Sequence, residues 1–189
     1  MTYRPICDVW LLARSKVPYY GAFPAGFLER ARDLLGVGLE DAVLHVCSGR
    51  VKDYPYRGFG PRDQTVDWDA HLMPDFVMDV RTHLPQNPDP ASHGYWPALL
   101  IDRPYTVDDA DQYPAGRARL PNVHDLLTRG LAITRPQGRV GILDCVIPRP
   151  PAGSRFVACV GVIVGFGNRG RFFTVFERPA KDQGIRYEP

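Results

Sequence analysis

Residues 121–147 read PNVHDLLTRGLAITRPQGRVGILDCVI, and the hydrophobic period changes midway along them. Val123, Leu126, Leu127, Leu131 and Ile133 recur at helical spacing, Pro121 suits a first turn, and RPQG at 135–138 ends the run. RVGILDCVI at 139–147 then reads as a strand, whose near-continuous apolar character predicts cover on both faces. PALLID at 97–102 is an upstream strand of the same kind. Strand, helix and strand in that order predict a parallel crossover and an α/β sheet.

Working outward, AGFLERARDLLGVG at 25–38 places Phe27, Leu28, Ala31, Leu34 and Leu35 on one helical face before Gly36 and Gly38 stop it. Further strands are predicted within DAVLHVCSG (41–49), QTVDWD (64–69), DFVMDV (75–80), RFVACVGVIVGF (155–166) and RFFTVFER (171–178). Only GNRG at 167–170 separates the last two, which predicts an antiparallel hairpin at a sheet edge. GRVKDYPYRGFGPRDQ (49–64) has no helical period and reads as a loop or a single turn. The expected organisation is one domain over 1–189, with 1–20 an extension and 179–189 a tail.

Composition excludes several classes. Hydrophobic residues make up 44% and charged residues 23%, and no apolar run approaches the roughly 20 residues of a membrane helix. The opening MTYRPICDVWLLARSKVPYY lacks a small-residue cleavage site, so a cytoplasmic protein with no membrane contact is expected. Cys7, Cys47, Cys145 and Cys159 form no C-x-x-C pair and read as buried free thiols. His45, His71, His83, His93 and His124 show no metal-ligand spacing, and no metal is assigned. Net charge is only +2, with 20 arginines against 3 lysines, a bias that GC-rich coding produces without functional meaning. Neither G-x-S-x-G nor a P-loop is present.

ALLIDRPYT at 98–106 carries the chemistry. A strand that ends at Asp102 places a carboxylate in the crevice at the carboxyl edge of the sheet, where open α/β sheets bind ligands. Asp102, Pro104 and Tyr105 resemble the Asp-Pro-Pro-Tyr signature of the N6-adenine and N4-cytosine amino-methyltransferases, with Arg103 in place of the first proline. Upstream, VLHVCSGRV (43–51) resembles their glycine motif, with Ser48 and Gly49 in the turn, His45 where an acid is usual and Val51 where a second glycine is usual. TVDWD offers Asp67, with Asp69 second, for the ribose hydroxyls, and PDFVMDVRTHLP (74–85) offers Asp79 and Val80 for the adenine. YYGAFPAGF (19–27) is similar to the Phe-Pro element of the same family through Phe23 and Pro24.

The resemblance implies a Rossmann-like, doubly wound, mostly parallel sheet with a C-terminal antiparallel hairpin, the class I methyltransferase fold. It implies S-adenosyl-L-methionine as cofactor, held by Phe23, Pro24, His45, Ser48, Gly49, Asp67, Asp79 and Val80, and catalysis by Asp102, Pro104 and Tyr105. The implied acceptor is an exocyclic amine of adenine or cytosine in nucleic acid, the base flipped onto Tyr105 and the backbone met by Arg103, Arg117, Arg119, Arg169 and Arg171. Asp108, Asp109 and Asp111 read as a solvated loop or helix start. A free nucleotide, a small molecule or a protein amide is an alternative acceptor, a degenerate cofactor-binding protein is an alternative role, and a homodimer is compatible with the small size.

Overall fold

The computed structural model describes residues 4–17, 21–111, 120–165 and 169–180. Its strands are β1 (Ile6–Leu11), β2 (Val43–Val46), β3 (Gln64–Asp67), β4 (Phe76–Val77), β5 (Trp96–Ile101), β6 (Thr134–Asp144), β7 (Arg155–Ile163) and β8 (Arg171–Glu177). The helices are α1 (Phe27–Leu35), the single turn α2 (Val107–Ala110) and α3 (Val123–Ile133). All the strands join one sheet in the order β1-β7-β8-β6-β5-β2-β3-β4. β8 runs antiparallel to both its neighbours, and every other pairing is parallel.

Strand alternation sorts the core into two layers. On β5, Ala98 and Leu100 face the layer containing Phe27, Leu28, Ala31 and Leu35 of α1, while Leu99 and Ile101 face the layer containing Leu126, Leu127 and Leu131 of α3. Each fully buried leucine contributes about 2 kcal/mol by area removed from water. Close approach matters at Gly141 of β6, where an added Cβ would lie 2.5 Å from the Phe173 ring. Asn122 caps α3 by accepting from the His124 and Asp125 amides, while Gly36 ends α1 in the left-handed region at φ 70°.

Four sequence expectations are corrected here. The β7–β8 hairpin is not at the edge, because β1 adds a parallel strand outside β7. Ile6–Leu11 of the expected extension accordingly belongs to the sheet: Trp10 is buried against Phe27 and Phe173, whereas Val9 and Leu11 remain 60% and 79% exposed. RPQG does not end α3, since β6 begins at Thr134, directly after the helix, and carries RPQG as an irregular start with Gln137 at φ 62°. Pro121 precedes the cap rather than opening the first turn. Segment 49–64 holds one 3₁₀ turn at Val51–Asp53, in line with the reading of a single turn. All four cysteines are free, but none is fully buried: Cys7 is exposed and Cys47, Cys145 and Cys159 are half-buried. No helix among the described residues is long and apolar enough to cross a membrane.

Candidate functional site

Strand order reverses between β2 and β5: β3 and β4 extend the sheet to one side, β6 to the other. A crevice therefore opens beyond the carboxyl ends of those two central strands. There the Asp102 amide donates to the Val46 carbonyl at 3.1 Å, tying the residue after β5 to the end of β2. Asp102, Pro104 and Tyr105 line a cleft of about 560 Å³ together with Arg14, Pro24 and Arg171.

The Tyr105 hydroxyl donates to Asp102 Oδ1 at 2.7 Å and accepts from Arg171 Nη1 at 3.2 Å. Burial pushes the Asp102 carboxyl up to about 6, with Arg171 and the tyrosine opposing and Asp144 assisting. Burial and the adjacent carboxylate drive the Tyr105 phenol well above its usual range, so it stays a donor. The Tyr105 hydroxyl thus ties Asp102 to Arg171 at the cleft.

Arg103 does not reach outward to substrate. Its guanidinium, 8% exposed, lies 2.9 Å from Asp144 Oδ2, and its Nη1 donates to the Pro104 carbonyl at 2.8 Å. Asp144 in turn accepts from the Cys145 amide at 2.6 Å, so the pair joins the loop after β5 to the end of β6. Thr106 and Asp109 close a reciprocal capping box on α2, the helix start expected for the acidic cluster. Arg169 Nη1 donates to Asp109 Oδ2 at 2.9 Å at the cleft mouth. Arg171, expected on a phosphate backbone, instead faces inward against Tyr105. Arg117 and Arg119 lie outside the described residues.

Beyond β2 the chain turns through Cys47 and Gly49, both left-handed at φ 57° and 52°. The Gly49 amide donates to Asp67 Oδ2 at 3.0 Å and the Asp69 amide to Oδ1 at 3.2 Å, while burial raises the Asp67 carboxyl. Burial also raises the Cys47 thiol, helped by Asp67, Asp102 and Asp79 and opposed by Arg103. Asp79 is held in an ion pair with Arg81 at 2.7 Å, and Val80 is buried, its carbonyl accepting from Arg129. Phe23 stacks on Phe27 at 5.2 Å, which turns it into the core and leaves Pro24 at the cleft.

His45 is a correction. Alternation along β2 points it away from Leu44 and Val46, into a buried polar cluster where Nε2 lies 3.0 Å from Asp63 Oδ2 and the ring lies against Phe59. Asp63 also accepts from Arg32 Nη2, the Val43 amide and the Gly60 amide, and these partners hold its carboxyl below the usual range against the opposing effect of burial. Arg32 further donates to the carbonyls of Gly58, Gly38 and Asp41. The cluster supports the site from beneath and does not line it.

The donor set suits S-adenosylmethionine in part. Ser48 Oγ is buried without a partner beside Gly49, and Asp67 keeps lone pairs for ribose hydroxyls. Asp79 has both oxygens on Arg81.

No family model and no curated protein matches the sequence. Solved structures do. YhhF from Escherichia coli superposes with a TM-score of 0.54 at 8% identity, over 87% of this chain and 91% of that one. TrmN from Thermus thermophilus gives 0.52 at 14% identity over 82% of this chain, which spans about half of the TrmN chain, 49%. The fold is that of the class I methyltransferases. A third protein with this fold, the 1,6-didemethyltoxoflavin-N1-methyltransferase of Burkholderia thailandensis, was solved with S-adenosylhomocysteine and superposes at 0.50 with 15% identity, over 80% of this chain and 78% of that one. In a class I methyltransferase fold the crevice beyond β2 and β5 is the topological switch point, and Asp102 stands in it.

Proposed function

We propose that this chain is an S-adenosylmethionine-dependent methyltransferase acting on an exocyclic amino nitrogen, with adenine or cytosine in nucleic acid as the acceptor. The observation that carries the reading is the position of Asp102: a half-buried carboxylate at the switch point of a class I methyltransferase fold, bracketed by Pro104 and Tyr105. The cofactor supplies a methyl group made electrophilic by its sulfonium. Gly49 leaves room for it to approach the backbone, Ser48 and Asp67 offer polar partners, and Pro24 closes one wall.

An exocyclic amine is a weak nucleophile because its lone pair is delocalised into the ring. Asp102 counters this by accepting amino hydrogens, which favours a more tetrahedral nitrogen and fixes its direction of attack. Oδ1 is held by Tyr105 until the phenol swings onto the acceptor ring. The carboxylate then takes the proton that the alkylated nitrogen sheds.

Calorimetric titration with S-adenosylmethionine and S-adenosylhomocysteine tests the cofactor, with Asp67→Ala expected to weaken binding at least tenfold. Labelled methyl transfer to DNA, RNA and free nucleotides tests the acceptor, and Asp102→Ala is expected to abolish transfer while leaving cofactor affinity within about twofold. Acceptor affinity that falls steeply with salt is the result expected for nucleic acid. Binding of neither cofactor form sinks the reading.

A further inference from the structure

The cleft floor is organised around one hydroxyl. The Tyr105 phenol satisfies an acceptor, Asp102 Oδ1, and a donor, Arg171 Nη1, that face each other across it at 2.7 and 3.2 Å. Two other cleft arginines are committed differently, Arg103 to Asp144 and Arg169 to Asp109. Arg171 stands at the start of β8, half-buried, and its guanidinium donates to no carboxylate among the described residues. A molecule that displaces the phenol must therefore present a hydrogen toward Asp102 and a lone pair toward Arg171, or leave a charged group unpaired, which costs about 1–3 kcal/mol.

An alkyl amine meets half of that requirement. An amine whose neighbouring atom is a hydrogen-bond acceptor meets all of it, as in adenine, where N6 is flanked by N1 and N7, and in cytosine, where N4 is flanked by N3. The donor and acceptor then lie one carbon apart for N6 with N1 and for N4 with N3, and two carbons apart for N6 with N7, and together they replace a single hydroxyl.

We propose that Arg171 is a specificity-determining residue that reads the acceptor atom beside the methylated amine, the acceptor taking over both hydrogen bonds of Tyr105. The proposal rests on the amino-methyltransferase reading above. It gives Arg171 a different task from a phosphate contact, which is indifferent to the base.

The test is labelled methyl transfer to single-stranded oligonucleotides that differ at one position: adenine against 1-deazaadenine and 7-deazaadenine, and cytosine against 3-deazacytosine. Wild-type protein is expected to lose about ten- to a hundredfold in kcat/KM on one adenine analogue or on the cytosine analogue. Arg171→Met is expected to lower transfer to the natural base toward that of the analogue, erasing the discrimination, and Arg171→Lys to restore part of it. Thermal melting and cofactor titration of both variants establish that they fold. Equal rates on all analogues with wild-type protein overturn the inference while leaving the methyltransferase reading intact. A uniform rise in KM with a shallower salt dependence in Arg171→Met also overturns it, returning the residue to a phosphate contact. Absence of transfer to every acceptor by wild-type protein overturns both.

Discussion

In the proposed mechanism Asp102 sets function against stability within one side chain. Its carboxyl is raised from 3.8 to about 6 by burial, so the native state keeps the proton to higher pH than the unfolded chain does. Between those values the native state binds more protons, and stability falls as pH rises through the window, then levels off above it. The ionised group therefore costs on the order of 3 kcal/mol at neutral pH. Asp102→Asn is expected to remove that cost, raising Tm by roughly 6–12 °C in a melting experiment while abolishing methyl transfer. In the wild type, kcat/KM is expected to rise with pH through about 6, the acid limb marking ionisation of Asp102. How much of this was legible differs residue by residue. Asp102 could be placed from sequence because an apolar strand that stops at an acid has one natural location in an open sheet. The environment of His45 could not: its partner Asp63 is 18 residues away, and the fold alone brings them together.

At the level of elements, the loop after β5 is held by a device that the sequence hid. Arg103 occupies a position where the resemblance implies proline, which invites the substitution Arg103→Pro as a repair. The structure argues against it, because Asp144, with a side chain 2% exposed, would lose its cation. Removing one partner of a buried pair costs about 3–5 kcal/mol, so Arg103→Pro is expected to lower the urea midpoint sharply and to reduce transfer with it. Arg103→Pro combined with Asp144→Asn is expected to recover most of that stability; no recovery would show that the ion pair is not the reason for the loss. The strands β2 to β8 were readable from apolar runs bounded by Gly, Pro and Asp, although β4 shrank to Phe76–Val77. β1 was missed because only Trp10 among its six residues is buried, so an edge strand gave no alternating signal. The end of α3 was misplaced because Pro136 and Gly138 look like a terminator but lie within an irregular start to β6.

For the molecule as a whole, ligand binding and folding are coupled. S-adenosylhomocysteine at about a hundred times its Kd is expected to stabilise the native state by about 2.7 kcal/mol, raising Tm by roughly 5–10 °C. Asp67→Ala is expected to shrink that shift with little change in the ligand-free Tm; an undiminished shift would remove Asp67 from the binding site. The sheet carries a different consequence through β1. Ile6 pairs with Ala158 and Leu11 with Ile163, so the strand leading into Arg14 and Ser15 of the cleft wall finds its partner only after β7 has been made. At about 5–20 residues per second, that strand waits some 8–30 s on the ribosome. A nascent chain that stalls before β7 emerges holds the glycine turn and Asp102 but lacks one wall of the cleft, so it reaches the cell without a closed pocket for substrate.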